Sequence, residues 1–370
     1  MKIVDIIYYR YLDPLGQNMT IGGIQTYITH LADLAVRLGC CVRIFQFADI
    51  NFQKEIAPNI SVNGIKIIGK LKKDRLIASV LRSRDETNQY VTIFANADYL
   101  LPRFKVAHSI GIQHGVAWDK LDSGKRPLWL RLFKHMLFAH RLISQMKNVE
   151  EIVCVDNNFI NWYRALDNYR HVLLTSILNF TEIQPLQDKK KSDEVSIVFA
   201  RRFFDYRGTR IFAPVVKRLL QDFPKIQVTF AGEGPDEKYL RDMFKNVANV
   251  HFTQYDSRDS ITFHHQFDIA VVPTTGSEGT SLSLLEAMAA GCAVVCTNVG
   301  GMTNIIIDGY NGLMVNPNID EFYFAMHKLV GNKALMQQIA TNGYQSVKTT
   351  FTLEIWEQKW SNVLKKHINK

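Results

Sequence analysis

Short apolar runs alternate with amphipathic stretches of helical period along almost the whole of this 370-residue chain. A chain with that rhythm has few options. Strands that return after a helix lie parallel, and a parallel sheet needs both faces covered. The first turn of the rhythm is plain. The apolar run Ile3–Tyr9 reads as a strand and a polar loop follows. Apolar residues at Ile24, Tyr27, Ile28, Leu31, Leu34, Ala35 and Leu38 then mark one face of a helix, Gly39 stops it, and CVRIFQF is the next strand. Further strands are read at Ile65–Ile68, Val91–Ala95, Ala107–Gln113, Val153–Val155 and Ser176–Asn179.

The pattern breaks at TEIQPLQDKKKSDE, which is polar, charged and free of apolar runs, and it restarts at VSIVFA. Helices are then expected at IFAPVVKRLLQDFP, DEKYLRDMFK and SLSLLEAMAAG, and strands at IQVTFAGEG, VHFTQ, FDIAVVPTT and AVVCTNVGG. The chain is therefore expected to form two doubly wound, Rossmann-like α/β domains, residues 1–180 and residues 181–350. A last helix, within 351–370, carries Leu353, Trp356, Trp360 and Leu364 on one stripe and is expected to pack back toward the first domain.

Charge is unevenly spread. Residues 1–180 hold 23 Lys and Arg against 15 Asp and Glu; residues 181–370 hold 21 against 20. The basic surface thus belongs to the first half, which points to an anionic partner there. No apolar window is long enough to cross a membrane. MKIVDIIYYRYLDP, charged at Asp5 and Arg10, reads as a buried strand rather than a leader. The five cysteines fit neither a disulfide framework nor a zinc spacing, as expected of a reducing cytosol.

Four stretches carry chemistry. In SEGTSLSLLEAMAAG, Glu278 precedes a helix that starts near Ser281, and Glu286 lies inside it, with Thr280 or Ser281 as the cap. Were both helical, eight residues would separate them by about 12 Å, too far for the roughly 5–9.5 Å of a glycosidase acid/base pair. Between them lies a helix N-terminus, an anion seat. In VFARRFFDYRG, Arg201, Arg202 and Arg207 follow a strand, where an open α/β sheet binds ligands, and two of them suffice to neutralise a diphosphate. Gly22 and Gly23 precede the first long helix and let backbone amides approach an anion. His114 ends a strand in IGIQHG. The plainer alternatives are a loop acid, a surface basic cluster and a structural histidine. No Gly-X-Gly-X-X-Gly occurs, which disfavours a nicotinamide enzyme, and no Asp-X-Asp occurs, so no metal-bridged diphosphate site is expected.

Together these residues resemble the retaining glycosyltransferases of family 4, which have the GT-B fold: two such domains facing across a cleft. The family's Glu-X7-Glu reads Glu278–Glu286 here, followed by AMAAG and by VGG at Val299–Gly301. Its Gly-Arg…Lys-Gly loop is matched by Ala200-Arg-Arg202 and Arg207-Gly208, its glycine pair by Gly22-Gly23, and its His-Gly turn by His114. AGEGPDEKYL resembles its Gly-Asp/Glu-Gly-Pro segment near the base. The likeness implies that Glu278 contacts the donor sugar, that Glu286 binds the ribose, and that Arg202 and Arg207 hold the diphosphate. It also implies that the backbone at Gly23 and at Gly279, Thr280, Ser281 and Leu282 supplies amides, and that His114 sits by the transferred sugar. The implied reaction moves a hexose-type sugar with retention, without cofactor or metal, from a nucleotide diphosphate donor (a uridine diphosphate sugar favoured) to a hydroxyl of a glycan or lipid-linked acceptor, in bacterial surface polysaccharide or lipopolysaccharide synthesis. Ser281 replaces a usual glycine, Cys292-Ala293 a usual Leu/Pro, and Arg207 a lysine; the first of these is expected to bear on sugar selection.

The stretch GKRPLWLRLFKHMLFAHRLISQ, from Gly124 to Gln145, mixes Lys125, Arg126, Arg131, Lys134 and Arg141 with Trp129, Leu130, Phe133, Leu137 and Phe138. A basic amphipathic helix reads as a membrane-surface element, so peripheral association with the cytoplasmic face of a membrane is expected. A helix packed on its own domain is the alternative. Two other functions compete: a nucleotide-sugar epimerase of the same fold and an inactive nucleotide-sugar-binding protein. Nucleic-acid binding is disfavoured because no aromatic-basic stacking pattern stands out.

Overall fold

The computed structural model describes residues 1–20, 22–115, 127–167, 172–186, 194–276 and 278–369. The chain forms two compact units. One draws on residues from Met1 to Leu178 and from Trp356 onward; the other runs from Asn179 to Ile355.

The first unit is built on β1 (Lys2–Ile7), β2 (Cys41–Ala48), β3 (Phe52–Ala57), β4 (Ile60–Lys66), β5 (Gln89–Phe94), β6 (Ser109–Gln113), β7 (Glu151–Cys154) and β8 (Leu173–Ser176), in the order β3-β4-β2-β1-β5-β6-β7-β8. Its helices are α1 (Gly23–Arg37), α2 (Lys72–Arg82), α3 (Ala97–Leu100), α4 (Leu128–Met146) and α5 (Asn157–Leu166). The central strands are buried on both faces, so they read as unbroken apolar runs. Asp5 is the exception in β1. It is fully buried, and Arg43, its register partner on β2, grips it with two bonds of 2.7 and 3.0 Å while Arg84 donates from 3.0 Å. A carboxylate survives in a sheet core only when compensated in this way.

Two elements differ from expectation. The strand read at 65–68 lies earlier, at Ile60–Lys66, and pairs with β3 as an antiparallel hairpin at the sheet edge; the other named strands pair in parallel. Asn59 turns the hairpin at φ +64°. β3 is largely exposed and polar, so it carries no apolar run to read.

The second unit holds β9 (Ser196–Ala200), β10 (Gln227–Ala231), β11 (Val250–Thr253), β12 (Ile269–Val272), β13 (Ala293–Thr297) and β14 (Leu313–Val315), all parallel, in the order β11-β10-β9-β12-β13-β14. The helices α6 (Thr209–Asp222), α7 (Glu237–Met243), α8 (Ser260–His264), α9 (Leu282–Ala289), α10 (Ile319–Val330) and α11 (Lys333–Thr350) accompany it. Phe199, Phe203, Phe212 and Phe230 meet in its core with ring centroids 5.7–6.4 Å apart.

The last helix, α12 (Leu353–Ile368), begins in the second unit and continues as part of the first. There Trp360, fully buried, donates its indole N–H to the Tyr27 hydroxyl on α1 at 2.7 Å. Among the described residues no helix is long and apolar enough to cross a membrane.

Candidate active site

In the second unit the chemistry gathers where β9, β12 and β13 end, the carboxyl edge at which open α/β sheets bind ligands. β9 delivers Arg201 and Arg202. The chain then makes a single 3-10 turn over Asp205–Arg207 and enters α6 through Gly208. Gly208 has φ +89°, and a Cβ there would lie 1.9 Å from the Pro273 carbonyl oxygen. Only glycine lets the arginine loop lie this close to the loop that follows β12. From the other side Gly300, at φ +53°, would place a Cβ 2.0 Å from the Glu278 carbonyl, and Gly301 donates its N–H to that carbonyl at 2.9 Å. The VGG turn is thus a backstop that presses the Glu278 loop into place.

Glu278 is buried among cations. Its Oε2 accepts from Arg201 at 2.8 Å, from Arg207, and from the Thr274 hydroxyl at 3.1 Å; Arg201 also donates to Thr274. Burial alone would raise this carboxyl's pKa, but the Arg201 and Arg207 charges outweigh it and hold the value near 2. The arginine side chains are themselves largely buried.

The resemblance gives Arg202 and Arg207 to the diphosphate; at Glu278 it is Arg201 that joins Arg207. Arg202 is exposed and lies over the Phe204 ring, 5.6 Å from its centroid. Successive side chains at a strand end tend to diverge, and here Arg201 turns to Glu278 while Arg202 turns to the surface.

Glu286 sits on α9, half-buried, and accepts from the Ser260 hydroxyl of α8 at 2.6 Å. Burial raises its pKa, opposed by that hydrogen bond and by Arg201. Arg201 therefore acts on both glutamates, bonded to one and electrostatically coupled to the other. The same neighbourhood holds Tyr255, its hydroxyl pushed up to about 12 by burial and by Glu286. The two acids occupy different settings: Glu278 lies among arginines and Glu286 against a hydroxyl. Ser281 is the N-cap of α9 but caps no amide with its side chain; its hydroxyl pairs with Ser283 at 3.2 Å. Gly279 and Thr280 lie in the loop just before it, the Thr280 carbonyl accepting from Asn179 at 2.7 Å, and Leu282 is the first helical residue. Thr274, Ser260 and Tyr255 carry no spacing signal and were not legible as site residues. The AGEGP loop joins the arginine loop through the Phe203 N–H, which donates to the Glu233 carbonyl at 2.7 Å.

The first unit holds the other expected residues on its own carboxyl edge. Gly22 is the N-cap of α1 in extended backbone, with no side-chain cap, and Gly23 begins the helix. His114 follows β6 and meets Tyr27 edge-on, centroids 4.7 Å apart. Burial lowers its pKa to about 3 despite a hydrogen bond to the Ala95 backbone, so the ring is neutral at working pH. Its Nε2 has no hydrogen-bond partner among the described residues and, in a neutral ring bonded through the other nitrogen, is an acceptor.

On α4 the first turns face solvent. Leu128, Trp129, Leu132, Phe133, Met136 and Leu137 are 48–68% exposed, and Lys134 and Arg141 are exposed with Arg131 half-buried. Only the last turns, from Leu142 to Met146, enter the core. Lys125 and Arg126 lie outside the described residues. Among the described residues no group of three or more His, Cys, Asp or Glu is placed to hold a metal ion.

Residues 181–346 match the family described as glycosyl transferases group 1. An uncharacterised glycosyltransferase of Methanocaldococcus jannaschii is 25% identical over 284 residues, 72% of this chain and 70% of that protein; the next two relatives are matched over less than half of their length. Sucrose-phosphate synthase of Thermosynechococcus elongatus superposes with a TM-score of 0.75 at 15% identity, over 99% of both chains. An Anabaena protein, HepE, solved with UDP-glucose, gives 0.72 at 14% identity over 99% of this chain and all of that one. The fold is GT-B, and these matches support glycosyl transfer.

Proposed function

We propose that the chain is a retaining, metal-independent glycosyltransferase of the family 4 type. It moves a hexose-type sugar from a nucleotide diphosphate donor, a uridine diphosphate sugar first among candidates, to a hydroxyl of a glycan or lipid-linked acceptor in surface polysaccharide synthesis. One observation carries this reading: two guanidinium groups, Arg201 and Arg207, converge on a buried carboxylate ahead of the α9 N-terminus. Breaking a sugar–diphosphate bond builds negative charge on the leaving group. Two fixed guanidinium groups and the positive end of a helix are aimed to meet it. Donor binding exchanges the Glu278 carboxylate for phosphate oxygens at both arginines, and Glu278 then accepts from sugar hydroxyls. Glu286, braced by Ser260, takes the ribose hydroxyls. Gly22, Gly23 and His114 keep the roles that the resemblance implies, His114 as a hydrogen-bond acceptor. The UDP-glucose complex of the Anabaena protein supports the uridine donor.

A thermal-shift panel of nucleotide sugars, followed by a transfer assay with and without chelator, tests this. One uridine diphosphate sugar is expected to raise the melting temperature, and chelator is expected to leave transfer unchanged. Epimerisation of the donor without acceptor would refute transfer.

The acceptor is proposed to lie at a membrane surface, to which α4 offers exposed Trp129, Phe133 and Leu137 beside Lys134 and Arg141. Co-sedimentation with anionic liposomes at low salt is expected, and it should be lost in the triple variant Trp129→Ser, Phe133→Ser, Leu137→Ser. Equal sedimentation of both proteins would exclude this face.

A further inference from the structure

The first unit has a cavity at the opposite edge of its sheet. Its volume is about 440 Å³, within the usual range of small-molecule sites. It opens where β1 and β5 begin and just before β6, lined by Lys2, Arg84, Lys105, His108 and His367 together with an apolar wall that includes Val91 and Ile368. From His108 to His114, along β6, is about 20 Å. This cavity is therefore separate from the edge that carries Gly22, Gly23 and His114.

Lys2, Arg84 and Lys105 give its lining positive charge, beside the polar Asn88 and Gln89. Among the described residues no Asp or Glu lines it. The nearby carboxylates are already engaged. Asp85 accepts from Asn88 at 2.9 and 2.7 Å and from the Tyr90 hydroxyl at 3.3 Å, both lining residues. Asp5 is shared by Arg43 and Arg84, which leaves that trio net positive. Glu151 accepts from Lys366 at 2.9 Å and meets His367 Nε2 at 3.1 Å. Glu150 accepts the His108 backbone N–H at 2.7 Å and lies 3.7 Å from His367 Nδ1.

Two features indicate that the cavity is built for a ligand. His367 is 3% exposed, and its Nδ1 has no hydrogen-bond partner among the described residues; the same holds for Nδ1 of His108. Buried polar atoms of this kind are ordinarily satisfied. His108 also sits at φ +48°, a left-handed conformation that a non-glycine residue adopts at a cost and that clusters at ligand sites.

We propose that this cavity binds a phosphate-bearing small molecule, its phosphate held by Lys2, Arg84, Lys105 and His108, with His367 in the wall beside it. A phosphate offers several strong acceptor oxygens to several convergent donors, and the apolar wall accommodates the body that carries it. The site is independent of the donor reading above.

The test uses the full chain with 15N-labelled histidine, titrated with inorganic pyrophosphate at constant ionic strength and followed in long-range 1H–15N spectra. The His108 and His367 imidazole signals are expected to shift together and saturate with one Kd. The variant Lys2→Ala, Lys105→Ala, both positions exposed, is expected to weaken that Kd at least tenfold with the melting temperature unchanged. Silent or non-saturating His108 and His367 signals, or the same Kd in the double variant, overturn the proposal. A shift confined to His114 reports an anion at the other edge of the sheet; it overturns this site and leaves the donor reading intact. Parallel titrations with glucose 1-phosphate and UDP identify the body. Tighter binding of either names its class, and equal binding of all three makes phosphate itself the ligand.

Discussion

At the scale of single residues, the two neighbouring arginines separate what sequence and structure each reveal. Position in the motif favoured Arg202, while side-chain geometry at the end of β9 puts Arg201 on Glu278 and leaves Arg202 at the surface. Which of two consecutive residues enters a site depends on how the chain leaves the strand, and no pattern in the sequence encodes that. Arg201→Ala and Arg207→Ala are expected to lower kcat/KM for donor by about 10²–10³-fold, the range for removing one charge-stabilising donor. Arg202→Ala is expected to stay within a few-fold of wild type, and steady-state kinetics on the three proteins decides. Glu286 adds a pH dependence. Its pKa is raised, so on acidification it takes up a proton before an ordinary carboxylate does and accepts more weakly and from fewer hydroxyls. Donor KM should therefore rise on the acid side, and Glu286→Gln should show a higher KM without that rise.

Among elements, the buried ones were legible and the exposed ones were not. Strands β1, β9, β12 and β13 read directly from apolar runs because both faces are covered. The edge hairpin hid its first strand, β3, behind polar residues. The VGG turn was visible as a motif, but its work became clear only in contact with the Glu278 loop. Gly300→Ala demands a positive φ and a Cβ inside the Glu278 backbone. It is expected to cost about 2 kcal/mol or more, measured by chemical denaturation, and to abolish transfer. On α12, Trp360→Ala removes a buried ring and the partner of Tyr27; a loss of about 3–5 kcal/mol is expected in the same assay.

For the whole molecule, the rhythm of strands and helices was sufficient to read two doubly wound units, because parallel sheets leave so few alternatives. Stability on the acid side should follow Glu278. Its pKa in the folded chain lies below the ordinary carboxylate value of about 4.3, so its ion pairs stabilise the fold fully above that pH and are lost as pH falls toward about 2. Glu278→Gln should therefore be less stable than wild type at pH 7, with the gap in melting temperature closing on acidification. The path of the chain has a further consequence, in time rather than in space. Most of the first unit is made before the second, yet the segment from Trp356 onward that covers Tyr27 is made after it. At roughly 5–20 residues per second, synthesis of the intervening second unit takes some ten to forty seconds. Through that interval the nascent first unit carries an open aromatic pocket, so it is then that a chaperone, or a mistaken partner, has access to it.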